Sequence, residues 1–227
     1  MRAWSRPCAT AIRTAPRRCW RTRSGSRSAC CGRPPIRRPT ERANVALEVR
    51  TAVADDAEQI ALLHADSWRR FYRGAYSDAY LDGDILSDRL AVWTARMSAP
   101  GHSGTLVVDD GNGLAAFVHV ALDDDARWGS LVDNLHVRHD RQRSGLGRVL
   151  LRKAAAVVAD RAADHSRMYL WVLEQNLSAQ RFYASMGGAC VEKTLVTAPP
   201  GTTGRLAGTP AKLRIAWADV SVPELSE

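Results

Sequence analysis

The sequence predicts a mixed α/β domain, a twisted mixed sheet covered by helices, over residues 44–227. Three observations predict it. Apolar periodicity switches between about 2 and about 3.6 in the order strand, helix, helix, three strands, helix, strand, helix, two strands. Residues 133–153 read as a strand end, a short basic loop with two glycines, and a helix. Residues 168–173, Met-Tyr-Leu-Trp-Val-Leu, form a short continuous apolar run that leads straight into a helix with a polar cap.

Length and composition bound the answer. The chain has 227 residues, 45% hydrophobic and 25% charged, which suits one globular domain with some chain left over. No apolar run approaches the roughly 18 residues of a membrane helix, so no membrane partner is expected. The net charge of +8 is unevenly placed. Residues 1–42 hold twelve Arg, no Lys and one acid, Glu41, so they carry +11 and the rest carries −3. The basic balance therefore describes the N-terminal segment and is no sign of a nucleic-acid-binding domain. Residues 1–43 lack periodicity and are rich in Arg, Ser, Pro and Thr, a composition expected to be disordered. It fits an Arg-rich transit peptide, and it also fits a translated upstream stretch outside the working protein. Cys8, Cys19, Cys30 and Cys31 lie in that segment and only Cys190 in the body, so neither a disulfide framework nor a zinc site is implied. A reducing, cytoplasmic setting is the expectation.

The body opens with a strand at residues 45–50. Asp55 or Asp56 can cap the helix that carries Ile60, Leu63, His64, Ser67, Trp68 and Phe71 on one side. Gly74 breaks the run of residues 69–76. Leu81, Ile85, Leu86, Leu90 and Trp93 indicate a second helical segment, closed by Pro100-Gly101. Residues 105–108 and 114–122 form a hairpin around Asp109-Asp-Gly-Asn-Gly113. Residues 123–129 read as a loop and 130–137 as the strand entering the glycine loop. Beyond it, Leu146, Val149, Leu150, Ala154, Val157 and Val158 place an apolar stripe on one helix. After the strand at 168–173, a helix with Ala179, Phe182, Tyr183 and Met186 stops at Gly187-Gly188. Strands at 189–196 and 211–217 flank a Pro/Gly/Thr-rich loop.

The loop Gln142-x-x-Gly145-x-Gly147 carries the chemistry. A glycine-bearing turn feeding a helix presents unpaired N–H groups and the positive end of a dipole, which suits a diphosphate. A dinucleotide fingerprint needs a third glycine where Leu150 stands, and the Gly-Lys-Ser/Thr of a P-loop is absent. The loop, together with Leu170-Trp-Val-Leu-Glu-Gln-Asn176 running into Ala179-x-x-Phe182-Tyr183-x-x-x-Gly187, resembles the GNAT superfamily of N-acyltransferases over about residues 47–218. Ser67-Trp68 through Tyr72-Arg73-Gly74 resembles the first-helix region of members of that family.

The resemblance implies a mostly antiparallel central sheet with helices on both faces, splayed where acetyl-CoA binds. Leu135, His136 and Val137 would offer backbone groups to pantetheine. Gln142, Arg143, Ser144, Gly145, Leu146, Gly147 and Arg148 would hold the pyrophosphate, and Asn176 with Ala179 would meet the pantetheine arm or the strand end. The basic cluster of Arg138, Arg141, Arg143, Arg148, Arg152 and Lys153 agrees with a polyanionic ligand. No metal is implied. Tyr183 matches the family tyrosine that protonates the leaving thiolate, and a hydroxyl with a pKa near 10 suits that task. Where some members carry a glutamate on the central strand, this chain has Leu131; Asp133, two residues on and on the same face, is the leading candidate base. Glu174, His119, His136 and His64 are alternatives, as is a water chain. Gly188 departs from the aromatic usual after Gly187. Tyr72 and Tyr76, flanking Gly74 on what reads as a mobile, exposed loop, are candidate acceptor contacts.

The function expected is transfer of acetyl from acetyl-CoA to a primary amine in a ternary complex. A small-molecule acceptor is favoured over a protein N-terminus, with the slightly acidic body steering a cationic acceptor; nucleic acid is not expected, and a homodimer is compatible. The rival expectation is a non-catalytic acyl-CoA sensor or scaffold that keeps the loop and Asn176.

Overall fold

Seven strands form one open sheet in the order β1-β2-β3-β4-β5-β7-β6. The structure is a computed structural model that describes residues 48–163, 166–197, 204–221 and 225. Expectations for residues 1–47, including the start of the first strand, and for residues 198–203 of the Pro/Gly/Thr-rich loop lie outside the described residues.

The strands are β1 (Glu48–Thr51), β2 (Ser103–Asp109), β3 (Leu114–Asp125), β4 (Gly129–Val137), β5 (Met168–Leu173), β6 (Ala189–Leu195) and β7 (Ala211–Trp217). All neighbours run antiparallel except β4 and β5. That parallel step requires a crossover, and α4 (Leu146–Arg161) supplies it. Leu146, Leu150, Leu151, Ala154 and Val158 of α4 pack with Val118, Val132 and Leu170 into the main core on one face. Val149, expected in this stripe, is 40% exposed, and Leu151 is buried in its stead.

On the other face lie α1 (Ala57–Phe71) and α3 (Ile85–Ser98). Ile60, Ala61 and Leu63 of α1 and Trp93 of α3 pack on Val107 and Phe117. The second helical segment is in fact two helices, α2 (Asp78–Asp82) and α3. The break falls at Gly83, where a Cβ would stand 2.7 Å from the carbonyl oxygen of Ala79. A shorter helix, α5 (Leu177–Ser185), contributes Tyr183 to the main core.

β3 runs three residues further than its alternation indicates. Asp123 adopts a φ of 52° and the β3–β4 register shifts between Ala121 and Asp125, a bulge that extends the ladder. Asp125 Oδ1 then accepts from the N–H groups of Arg127 and Trp128 at 2.8 and 3.0 Å, which closes the turn. Among the described residues no helix is long and apolar enough to cross a membrane.

Candidate active site

β4 and β5 pair only at Ser130↔Met168 and Leu131↔Tyr169. β5 meanwhile keeps its pairing with β7 from Met168 to Leu173. Beyond Leu131 the two central strands therefore part, leaving a cleft of about 400 Å³. Leu135, His136 and Val137 line it from β4, and Trp171, Val172 and Leu173 line it from β5. These are the strand edges whose backbone groups the sheet leaves available.

A second bulge sets which side chains reach the cleft. Pairing moves from His119↔Asn134 to Val120↔Val132, so Asp133 has no direct partner on β3. Val132, Leu135 and Val137 all pack in the α4-side core although Val132 and Leu135 are three residues apart. The strict period of two is broken there. His136 consequently turns to the α1 face, where its ring meets Phe117 and His64.

The mouth of the cleft is the glycine loop. Gln142, Arg143, Gly145, Gly147 and Arg148 line it, together with Arg141. Arg143 (φ 61°) and Gly145 (φ 90°) both adopt left-handed backbone, which curls successive N–H groups toward one side. Ser144 Oγ donates to the Arg141 carbonyl at 2.6 Å and braces the curve. α4 starts at Leu146 without a side-chain cap, so its first-turn N–H groups remain open. Gly147 lies beside the Phe182 ring of α5, where a Cβ would make ordinary contact at 3.4 Å. The expected basic cluster divides. Arg138 and Arg141 are committed to Asp110 in the β2–β3 turn, each at 2.6 Å, and tie the loop to the sheet. Arg143 and Arg148 are exposed at the loop.

α5 closes another wall. Asn176 caps it, its Oδ1 accepting from the Ala179 N–H at 3.1 Å, so its amide nitrogen is the group left for a ligand. Asn176, Ala179, Phe182 and Tyr183 all line the cleft. Tyr183 is 8% exposed and packs edge-on against Trp217. Burial pushes its hydroxyl up to about 12. The space beside Gly188 is filled by Ile215 and Trp217, 2.6 and 2.7 Å from where a Cβ would stand. Trp217 Nε1 donates to the Met186 carbonyl at 2.7 Å, so β7 supplies the aromatic that closes this helix end.

The α1 side brings Ser67, Phe71 and Tyr72 to the cleft. Tyr72 stacks on Trp68 at 4.6 Å and 9°. Tyr76 packs behind it, tilted on Trp68 at 4.9 Å, and is not among the lining residues. The segment around Gly74 is tied at several points, contrary to the mobile loop expected. Ser77 N–H donates to Arg205 O at 2.8 Å, Ala207 N–H to Ala75 O at 3.0 Å, and Gln175 Nε2 to Arg73 O at 2.7 Å.

The candidate bases are distributed unevenly. Asp133 pairs with Arg96 at 2.7 Å, Arg96 also donates to Asn134 Oδ1 at 3.1 Å, and Asp133 does not line the cleft. Glu174 pairs with Lys193. His119 is buried and bonded to Thr105 Oγ1 at 2.8 Å. His64 is buried, its Nδ1 accepting from Trp93 Nε1 at 2.9 Å. Of the five candidate side chains His136 alone lines the cleft, its Nδ1 bonded to Ser67 Oγ at 2.7 Å. Ser67 and Trp171 are lining residues to which sequence reasoning assigned no site role. A serine on the apolar side of an amphipathic helix was the available signal for the first.

Comparison with known proteins agrees with this geometry. Residues 63–188, more than half of the chain, match the model of the acetyltransferase (GNAT) family. An uncharacterized N-acetyltransferase, YuaI of Bacillus subtilis (strain 168), is 31% identical over 134 residues, 57% of this chain and 73% of its own. Among solved structures, the PaiA N-acetyltransferase of Thermoplasma acidophilum, in complex with coenzyme A, superposes with a TM-score of 0.56 at 19% identity, covering 74% of this chain and 98% of that one. YncA of Salmonella typhimurium, solved with its cofactor acetyl-CoA, gives a TM-score of 0.52 at 19% identity over 76% of this chain and 93% of that one. The splayed β4–β5 pair, the left-handed glycine loop and the family match coincide on the same residues, and the chain belongs to the GNAT family of acetyltransferases.

Proposed function

We propose that the protein transfers the acetyl group of acetyl-CoA to a primary amine by direct attack in a ternary complex. One observation carries the reading. A single cleft has free strand edges along its length, an anion-binding loop with Arg143 and Arg148 at its mouth, and the Tyr183 phenol in its wall. Strand edges suit the amide groups of pantetheine, and the loop suits a diphosphate. The structural relatives that hold coenzyme A or acetyl-CoA support this assignment by their shared fold.

The residues define the steps. Pantetheine lies against Leu135, His136 and Val137, with the amide of Asn176 at the α5 end. The N–H groups of residues 143–148 hold the pyrophosphate. The amine nitrogen attacks the thioester carbon, an N–C bond forms, and the carbonyl π pair moves to oxygen. The C–S bond then breaks, the thiolate takes the proton of Tyr183, and the phenolate regains a proton from the water that receives the amine's. The nitrogen gives its surplus proton to water in the open cleft, because Asp133 is held by Arg96 away from the lining. The acceptor is a small molecule entering past Ser67 and Tyr72.

The test is thermal unfolding of the full chain with and without millimolar acetyl-CoA, followed by thiol release with a panel of small amines. A ligand at 100 times its dissociation constant stabilises by about 2.7 kcal/mol. An upward shift with amine-dependent thiol release is expected. A shift with no release for any amine would favour a non-catalytic acyl-CoA sensor. No shift in a folded sample would remove the reading.

A further inference from the structure

Three histidines cluster on the α1 side of the sheet, and each has its Nδ1 engaged by a neighbouring element. Trp93 Nε1 meets His64 at 2.9 Å, Thr105 Oγ1 meets His119 at 2.8 Å, and Ser67 Oγ meets His136 at 2.7 Å. An indole N–H can only donate, so His64 Nδ1 is an acceptor and its proton sits on Nε2. Ser67 poses the same question for His136. Ser67 is buried, and its side-chain hydrogen bond is to His136 Nδ1. If the hydroxyl donates, one bond satisfies both the hydroxyl hydrogen and the ring nitrogen. In the reverse arrangement a buried hydroxyl hydrogen is left over, which native interiors avoid. His136 is therefore also the Nε2–H tautomer. His64 Nε2 is sealed in the core without a partner, whereas His136 stands in the cleft wall with Nε2 as its unoccupied nitrogen.

We infer that His136 is a catalytic hydrogen-bond donor whose Nε2–H meets the carbonyl oxygen of the bound acyl group as that oxygen gathers charge. The inference rests on the acetyl-transfer reading and assigns a role to a side chain within the same cleft. The ring is held on two sides, 4.6 Å from His64 and 5.3 Å from Phe117 between ring centres, so its direction is set before substrate arrives. A donor fixed in direction needs no reorganisation when charge develops on the oxygen it faces. Burial also holds the imidazole down to about 4, so it stays neutral at physiological pH. No proton moves in this step. The N–C bond forms, the π pair goes to oxygen, and the Nε2–H···O contact tightens. When the C–S bond breaks, the carbonyl re-forms and Tyr183 protonates sulfur.

Two measurements test it on the full chain. Ring-nitrogen NMR at pH 7, with the signals assigned by loss in His136→Gln, is expected to show a neutral His136 protonated on Nε2. An Nδ1–H tautomer or an imidazolium would overturn the inference. In steady-state kinetics, His136→Leu is expected to lower kcat about 100-fold with the KM for acetyl-CoA unchanged. His136→Gln, which keeps an N–H donor but offers no basic nitrogen, is expected to retain most of the rate. Equal loss in the two variants would mean that the imidazole acts as a base and would overturn the donor role. If the unaltered protein binds acetyl-CoA yet transfers to no amine, the transfer reading fails; the tautomer measurement is independent of that result.

Discussion

Tyr183 and Asp133 show what a residue's surroundings decide. Both are candidates for proton transfer by type and position. One stands in the cleft wall and the other is ion-paired outside it. Replacing Tyr183 by Phe removes a single oxygen from a ring packed between Phe182 and Trp217, so folding should survive. The expected result is a fall in kcat of about 100-fold with unchanged acetyl-CoA affinity. Asp133→Asn is expected to change kcat by less than about 3-fold, since the amine's proton leaves through water. A loss as large as that of Tyr183→Phe would restore Asp133 as the base. The pH profile offers a further check. Tyr183 is pushed up to about 12, so the phenol keeps its proton through the neutral and mildly alkaline range. Rate should therefore rise with pH as the acceptor amine loses its proton, with no fall from tyrosine ionisation below about pH 11.

At the scale of elements, the strand–loop–helix at residues 129–161 was legible because each part has a local cause. Alternation marks the strand, a positive φ demands Gly145, and a helical stripe follows. Where local causes end, legibility ends too. The bulge at Asp133 depends on the register of β3 against β4, which alternation within one strand does not encode. It decides that His136 and not its neighbours faces α1. The break at Gly83 read as continuous helix because the apolar spacing runs through it, while the backbone there leaves helical geometry at ψ −109° and a Cβ would clash with the Ala79 carbonyl. Ser67 was visible only as a helix-face residue because its partner lies 69 positions away. Gly188 illustrates the same point with a testable cost. Its departure from the family's aromatic is matched by Trp217, brought across from β7. Gly188→Leu should therefore destabilise by about 1–3 kcal/mol through overpacking, read as a lower urea midpoint with the slope unchanged. Pairing it with Trp217→Ala should recover part of that loss, because the added side chain then has room. A loss no smaller than the sum of the two single variants would show that the two residues do not share the space.

For the whole molecule, the three histidines of the α1 side, His64 and His119 buried and His136 half-buried in the cleft wall, join the site to the stability of the sheet. His119 and His136 are held down to about 4, and His64 well below its usual range, in each case chiefly by burial. In the unfolded chain all three titrate near 6.5. Their folded pKa values are depressed, so the unfolded state takes up protons first. Their neutral folded form is matched by an equally neutral unfolded state above about pH 6.5, and stability is lost as pH falls from there toward about 4. At pH near 5 the unfolded chain binds up to three more protons than the native one at these positions. The corresponding slope is about 4 kcal/mol per pH unit. A domain of ordinary stability, on the order of 5–15 kcal/mol, loses a large part of it across that window. Carboxylates such as Asp56, held low by Arg50, add a further loss only below the usual carboxylate range. Urea unfolding at half-unit steps from pH 7.5 to 4.5 should give a flat region above pH 6.5, then a steep decline well before carboxylates titrate. A proton uptake on unfolding below one near pH 5 would mean that these histidines take protons in the folded state. The histidine cluster would then be open to water, and the fixed neutral donor at the cleft wall would be lost with it.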